Sequence, residues 1–149
     1  MKAMALKQLD KTLAGMRSAL AVPPPARGWL RAIRDALGMS GPQLARRMRM
    51  TKQGVADLEK KEVSGSLSLN TLRKAAAAMD CVLVYAVVPR DSLAAIVERQ
   101  ARRLVESDAT YTAHTMLLED QLPAADERQA ALDAAVADIV RRMPKNLWD

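Results

Sequence analysis

The chain has 149 residues, of which 50% are apolar and 3% aromatic, with no phenylalanine and a net charge of +6. This length suits one domain, or one small domain with appendages, and the scarcity of glycine together with abundant alanine favours helices over an extensive sheet. No stretch approaches the ~20 apolar residues that span a bilayer, and the N-terminus lacks the apolar core of a signal peptide. The single cysteine excludes an internal disulfide and predicts a cytoplasmic protein.

Residues 1–22 are predicted to form an N-terminal helix. Its apolar residues recur at spacings of three and four, which is a narrow heptad-like seam: Leu6, Leu9, Leu13, Met16 and Leu20. The seam is too short for an independent coiled coil, so we expect it to pack on its own domain or on a second subunit. The three prolines at 23–25 end the helix and act as a stiff spacer.

Residues 27–80 contain four short helical patterns, beginning with a helix over 27–37 on which Trp29 is predicted to face inward. The next two patterns are joined by a turn of two residues, the spacing of a helix-turn-helix. Ser40 and Thr51 are placed to cap these two helices, because their hydroxyls can accept hydrogen bonds from unpaired backbone N–H groups. Val55, Leu58 and Glu59 are predicted to face inward on the second helix. A polar loop over 62–67 and a helix over 69–79, for which Ser68 is the predicted cap, complete the region.

This central pattern resembles the Cro and phage-repressor (XRE) helix-turn-helix family. The resemblance is carried by Ser40, Gln43, Leu44, Ala45, Met50, Thr51, Val55, Leu58 and Glu59. Arg49 stands where a glycine is usual in the turn, and Lys61 where a glycine is usual after the second helix. A non-glycine residue is uncommon at a positive φ, so we expect a slightly altered turn. The resemblance implies a lambda-repressor-like DNA-binding fold.

Residues 81–89 are predicted to form a short strand that ends at Pro89. Its β-forming residues, which are also the predicted dimerisation residues, are Val82, Leu83, Val84, Tyr85, Ala86 and Val87. A lone strand cannot satisfy its own backbone groups, and no second strand is evident. We therefore predict that it pairs with the same strand of a second subunit, which makes a homodimer. A dimer would read two DNA half-sites one helical turn, ~34 Å, apart.

Residues 91–149 are predicted to form a helical C-terminal extension, with helices over 92–107, 110–122 and 123–143. The predicted fold class is therefore mainly α. It comprises a lambda-repressor-like domain, one short strand paired across a dimer, and this extension.

The charge is concentrated in the central region. Residues 27–61 hold nine basic and three acidic residues, a net charge of +6, whereas the rest of the chain holds fourteen of each sign. These basic residues coincide with the helix-turn-helix pattern. A DNA-binding face is therefore a better interpretation of them than a solvated basic surface.

Individual DNA contacts follow from the chemistry of the exposed positions. Gln53 suits an adenine edge, Lys52 a guanine or a phosphate, Ala56 a thymine methyl group and Asp57 a cytosine amine. The residues that suit phosphate anchoring through side chains and helix N-termini are Ser40, Gln43, Thr51, Lys60 and Lys61.

No catalytic grouping is evident, so we expect no enzyme activity and no cofactor. The single histidine, His114, has neither a second histidine nor a nearby cysteine to form a metal site. No glycine-rich phosphate loop occurs. Adjacent acidic residues such as Glu119 and Asp120 are better explained as solvated charge.

Over nearly its full length the order of elements resembles the bacterial "mobile mystery protein A" family. The features that carry this are the leading helix, the triproline, the repressor-like region, residues 82–89, Glu98-Arg99-Gln100-Ala101 and the final Leu147-Trp148-Asp149. The resemblance implies an antitoxin and autorepressor encoded in a two-gene cassette beside a Fic-domain protein. Residues 115–120 also resemble the inhibitory motif of Fic regulators, with Thr115 and Glu119 at its two fixed positions and Asp120 departing from the last. The rival interpretation is a protein-interaction antitoxin in which DNA binding is secondary.

Overall fold

A computed structural model describes residues 2–118 and 124–149, and the side chains of 2–109 and 124–149. Its α-helices are α1 (Lys2–Ala14), α2 (Trp29–Ala36), α3 (Gly41–Met48), α4 (Lys52–Ser64), α5 (Leu69–Ala78), α6 (Leu93–Leu118) and α7 (Ala125–Arg142). Short 3₁₀ helices cover Arg17–Ala21 and Lys145–Trp148. Within the part of the chain that is described, no helix is both long and apolar enough to cross a membrane.

The chain divides into two compact units. The central unit is Leu20–Val87, and the terminal unit combines the described residues of Met1–Ala19 with those of Val88–Asp149. The sequence predicts the N-terminal helix and the C-terminal extension as separate regions. In the structure α1 packs against α6, so the two ends of the chain share one unit.

The core of the central unit is aliphatic. Its buried members come from all four helices α2–α5 and the residue that follows α5: Leu30, Leu44, Ala45, Val55, Leu58, Ala75 and Met79. Ser68 caps α5 through a hydrogen bond from the backbone N–H of Thr71 to its hydroxyl, as its position in the sequence predicts. Trp29, expected to face inward, is 47% exposed.

The terminal unit has its own core on α6, α7 and the final 3₁₀ helix. It consists of Val97, Ala101, Val105, Val136 and Leu147, with Leu6 of α1 packed against it. The carboxylate of Asp10 accepts hydrogen bonds from the backbone N–H groups of Leu93 (2.6 Å) and Ala94 (3.0 Å). A side chain on α1 therefore satisfies the unpaired donors at the start of α6.

Three helix boundaries differ from the sequence prediction. α1 ends at Ala14, before the poor helix former Gly15. Two residues of the predicted seam, Leu9 inside α1 and Leu20 beyond it, are 50% and 57% exposed. α4 continues through Ser64, and Gly65 ends it with φ +75°, so the predicted loop over 62–67 is shorter. α6 runs on to Leu118 rather than breaking near Ser107, because residues 107–110 contain neither glycine nor proline.

The predicted strand over residues 81–89 is wrong for the single chain. The structure has no strand among the described residues, and this segment is irregular. A strand needs a neighbouring strand for its backbone hydrogen bonds. No second segment in the described part of the chain supplies those partners. Val82, Val84, Tyr85 and Val87 are instead 87%, 73%, 60% and 90% exposed.

Candidate nucleic-acid interface

The first helix of the predicted pair begins with two reciprocal hydrogen bonds. The hydroxyl of Ser40 accepts from the backbone N–H of Gln43 at 3.3 Å, and the Gln43 side-chain oxygen accepts from the backbone N–H of Ser40 at 2.6 Å. This capping box fixes the start of α3. Within the described residues, the amide nitrogen of Gln43 has no hydrogen-bond partner of its own and is available as a donor.

The turn between α3 and α4 keeps a left-handed residue although it lacks glycine. Arg49 has φ 54° and ψ 46°, and its N–H donates to the carbonyl groups of the last turn of α3. The N–H of Met50 donates to Ala45 O at 2.9 Å. The expected alteration of the turn is thus small, and the arginine backbone adopts the conformation that glycine takes more readily.

The second helix presents one polar face and buries the other. Thr51 caps α4 by accepting from the N–H of Gly54 at 3.0 Å. Val55, Leu58 and Glu59 are buried, in agreement with the predicted inward face. The predicted base-reading and phosphate-anchoring residues of this helix lie on the outside: Lys52, Gln53, Asp57, Lys60 and Lys61 are exposed, and Ala56 is half-buried.

A buried ion pair fastens α4 to α2. Arg34 Nε lies 2.7 Å from Glu59 Oε1, and the two side chains are 11% and 9% exposed. Arg34 also donates to the carbonyl oxygen of Met39 at 2.8 Å and forms an ion pair with Asp35. The hydrogen bond and charge of Glu59 raise the pKa of Arg34 above its ordinary value, against the lowering effect of burial. The Arg34 guanidinium therefore stays charged at any ordinary pH.

A second carboxylate, one turn further along α4, binds the start of α2. Glu62 accepts from the backbone N–H groups of Trp29 at 2.8 Å and Leu30 at 3.0 Å. Gly28 precedes α2 with φ +81°, and a Cβ atom there would lie 2.6 Å from Glu62 Oε2. The sequence predicts a loop at Glu62 and does not show this role. Its partner lies 32 residues away, so no local pattern could have shown it.

These contacts reduce the number of basic groups available to a ligand. Arg34 is in the buried pair, Arg31 lies 3.7 Å from Asp35, and Arg47 donates to the carbonyl oxygen of Ala78. Within the described residues, no hydrogen bond or ion pair engages the side chains of Arg46, Lys52, Lys60 and Lys61. The basic excess that remains free is thus concentrated on the outer sides of α3 and α4.

Gln43, Arg46 and Arg47 also line an open groove of about 360 Å³ beside the start of α3, together with Leu37, Gly38 and Met39. Its donors are of the kind that bind phosphate oxygens. The arrangement therefore offers anion-binding groups on α3 next to the mixed polar face of α4.

The central helices match the model of the helix-turn-helix family HTH_3 over residues 30–85. Residues 30–85 form a helix-turn-helix domain. Comparisons with curated proteins and with solved structures found no match. In the helix-turn-helix domain, α3 and α4 are the two helices joined by the short turn at Arg49 and Met50.

Two other groups of predicted residues do not belong to α3 or α4. The dimerisation residues Val82, Leu83, Val84, Tyr85, Ala86 and Val87 follow α5, and Arg73 lies over the Tyr85 ring at 5.7 Å from its centroid. The predicted partner-inhibition residues Thr115 and Glu119 lie outside the residues whose side chains are described, and Glu119 lies outside the described backbone as well. Among the described residues, no group of three or more His, Cys, Asp or Glu side chains is arranged to hold a metal ion.

Proposed function

We propose that the chain is a sequence-specific DNA-binding transcriptional repressor that acts in the cytoplasm and carries out no catalysis. The observation that supports this best is the contrast between the two faces of α4. Its inner face is fastened to α2 through Glu59 and Glu62. Its outer face carries Lys52, Gln53 and further exposed polar groups, beside the basic outer side of α3.

The chemistry of the outer face divides into two roles. Gln53 contacts an adenine edge, with Lys52, Ala56 and Asp57 at neighbouring bases. Phosphate contacts come from Lys60 and Lys61, and from the residues at the two capped helix starts, Ser40, Gln43 and Thr51. Rigid attachment of α4 to α2 keeps these groups in one register, since a displaced recognition helix would lose several contacts together.

A homodimer is part of the proposal, with residues 82–87 as its pairing segment. Four apolar side chains in this segment are at least 60% exposed, and contiguous exposed apolar surface marks interaction sites. Among the described residues, the backbone groups of this segment form no ladder with another segment. Two copies related by a two-fold axis would bury both the side chains and these backbone groups, and the paired domains would meet a palindromic operator.

The dimer is tested by the molar mass of the purified protein in light scattering. Val84→Lys should shift the mass toward that of a monomer and weaken operator binding. Met4→Lys is the matched control, because Met4 is apolar and 77% exposed but lies on α1. A monomeric unaltered protein, or equal effects of the two variants, would contradict pairing through this segment.

The proposal also includes an antitoxin role and a Fic-domain partner. They rest on the resemblance to the mobile mystery protein A family, in which Thr115 and Glu119 take the positions of an inhibitory motif. The test is the transferase activity of the purified Fic partner with and without this chain. Glu119→Ala should relieve inhibition, and Asp120→Ala serves as the neighbouring control. Unchanged inhibition by Glu119→Ala would remove that residue from the mechanism.

The repressor is tested by titrating the full-length protein onto its own promoter fragment and onto scrambled DNA at two salt concentrations. Selective binding that weakens steeply with salt is the expected result, because phosphate contacts release bound counterions. Equal weak binding of the two DNAs would favour the alternative, a protein-interaction antitoxin in which DNA binding is secondary.

A further inference from the structure

Two exposed side chains on the outer face of α4 are joined to each other. The side-chain nitrogen of Gln53 donates to a carboxylate oxygen of Asp57, one helical turn later, at 2.9 Å. Both residues are exposed, and they lie on the face of α4 that would face the major groove of DNA under the proposed function. Among the described residues, no other hydrogen bond or ion pair engages either side chain, so this bond is the polar contact that orients them.

The bond determines which way the Gln53 amide faces. A glutamine amide carries two N–H hydrogens on its nitrogen and an acceptor oxygen, whereas an ionised carboxylate only accepts. If the amide were turned over, its oxygen would face the carboxylate oxygen and the two would repel each other. The observed orientation therefore uses one N–H for Asp57 and leaves one N–H and the amide oxygen for a ligand.

One free donor beside one free acceptor matches one base edge and not another. In the major groove adenine presents the N7 acceptor and the N6 amino donor, whereas guanine presents two acceptors, N7 and O6. A glutamine with both N–H groups free can donate to both guanine acceptors. With one N–H held by Asp57, a single donor remains and the amide oxygen would face guanine O6.

We infer that Asp57 is a positioning residue, which holds the amide of Gln53 in the orientation that binds adenine and disfavours guanine. This inference rests on the proposed DNA-binding function and adds a base preference to it. It differs from the role that the sequence alone suggested for Asp57, a direct contact with the amine of a cytosine. It also differs from a purely structural role, in which the bond only adds to the stability of the helix.

The isosteric variant Asp57→Asn separates the positioning role from the structural one. An asparagine at this position can still form a side-chain hydrogen bond with Gln53, but it can accept or donate, so both amide orientations become possible. Asp57→Glu keeps an acceptor-only carboxylate and should preserve the orientation. The helix content of each variant is checked by circular dichroism.

The experiment uses the full-length protein and its promoter fragment. The base pair read by Gln53 is first found as the A·T pair at which Gln53→Ala abolishes discrimination against G·C. The ratio of the dissociation constants for the G·C and A·T fragments is then measured. We expect Asp57→Asn to lower this ratio about three- to tenfold, a part of the discrimination that a full bidentate contact provides. Asp57→Glu should restore the ratio, and Asp57→Asn should change nothing further in the Gln53→Ala background.

The chain supplies a matched control on α7, where Gln129 donates to Asp133 at 3.1 Å with the same spacing of four residues. Asp133→Asn should leave the ratio unchanged. A ratio unaffected by Asp57→Asn would overturn the inference, and so would an effect that persists without Gln53 at another base pair, the mark of a direct cytosine contact. Both results leave the repressor itself standing. Equal binding of promoter and scrambled DNA by the unaltered protein would overturn the repressor and the inference together.

Discussion

Arg34 and Glu59 form a buried ion pair that joins α2 to α4. Two guanidinium nitrogens of Arg34 meet the two oxygens of Glu59, at 2.7 and 3.4 Å. A third nitrogen donates to the carbonyl oxygen of Met39, so the pair also holds the chain between α2 and α3. The inner face of α4 is thus attached by hydrogen bonds of fixed geometry as well as by apolar packing.

Removing one member of this pair should destabilise the helix-turn-helix domain strongly. Glu59→Ala leaves the Arg34 guanidinium buried without its main partner, and we expect the free energy of unfolding to fall by about 3 kcal/mol. Because the two units can unfold separately, the measurement needs a probe in one of them. Urea unfolding followed by Trp29 fluorescence in a Trp148→Phe background reports on the central unit.

The control for this measurement is Asp35→Ala. Asp35 also contacts Arg34, at 2.8 Å, but its side chain is 54% exposed. Exposed ion pairs contribute less than about 1 kcal/mol, so this variant should be nearly neutral. A similar loss from both variants would show that burial does not set the strength of the pair.

Gly28 is the position at which a single methyl group should loosen α2 from α4. Its φ of +81° and ψ of 160° lie in a region that only glycine occupies readily, and the new Cβ would meet the carboxylate of Glu62. We expect Gly28→Ala to lower the free energy of unfolding by about 2–3 kcal/mol. Gly41→Ala is the matched control, since a Cβ there meets nothing within 4 Å. Equal stability of the two variants would contradict the close approach of Glu62.

What the sequence could predict in this domain depends on how far apart the partners lie. The caps at Ser40, Thr51 and Ser68 follow from hydrogen bonds within three residues, and the inward face of α4 follows from its periodicity. Glu62 binds a helix start 32 residues earlier, and its spacing along α4 does not show that partner. The predicted strand at residues 81–89 failed for a related reason, because β propensity describes a segment while a strand also needs a neighbour.

The left-handed conformation of Arg49 predicts a stabilising substitution. An L-residue pays about 1–2 kcal/mol for this conformation, and glycine does not. Since glycine loses more chain entropy on folding, we expect Arg49→Gly to raise the free energy of unfolding of the central unit by up to about 1 kcal/mol. The opposite sign is expected for Arg46→Gly, which should cost about 1 kcal/mol inside α3. A loss of stability in both variants would be inconsistent with strain at Arg49.

Asp10 predicts that the two ends of the chain are energetically coupled. Asp10→Ala removes the acceptor for the N–H groups of Leu93 and Ala94 at the start of α6. We expect the free energy of unfolding of the terminal unit to fall by about 1–2 kcal/mol, the range of a helix cap. The measurement is urea unfolding monitored by Trp148 fluorescence in a Trp29→Phe background. Asp91→Ala, which removes an exposed partner of Arg99, should have little effect. If the terminal unit of Asp10→Ala unfolded at the same midpoint urea concentration as the unaltered protein, that result would contradict the cap.

Lys60 predicts a distinctive salt dependence of DNA binding. It is exposed on α4 and engages no other side chain in the part of the chain described, so its charge is available to a phosphate. Lys60→Ala should weaken binding to all sequences alike and reduce the slope of log K against log salt by about 1, because one counterion fewer is released. Gln53→Ala should leave that slope unchanged while losing about 1–3 kcal/mol of discrimination at one base pair.

The control for a general charge effect is Lys145→Ala, which removes an exposed lysine of the terminal unit. An equal change of slope in Lys60→Ala and Lys145→Ala would mean that net charge, and not the outer face of α4, determines the affinity.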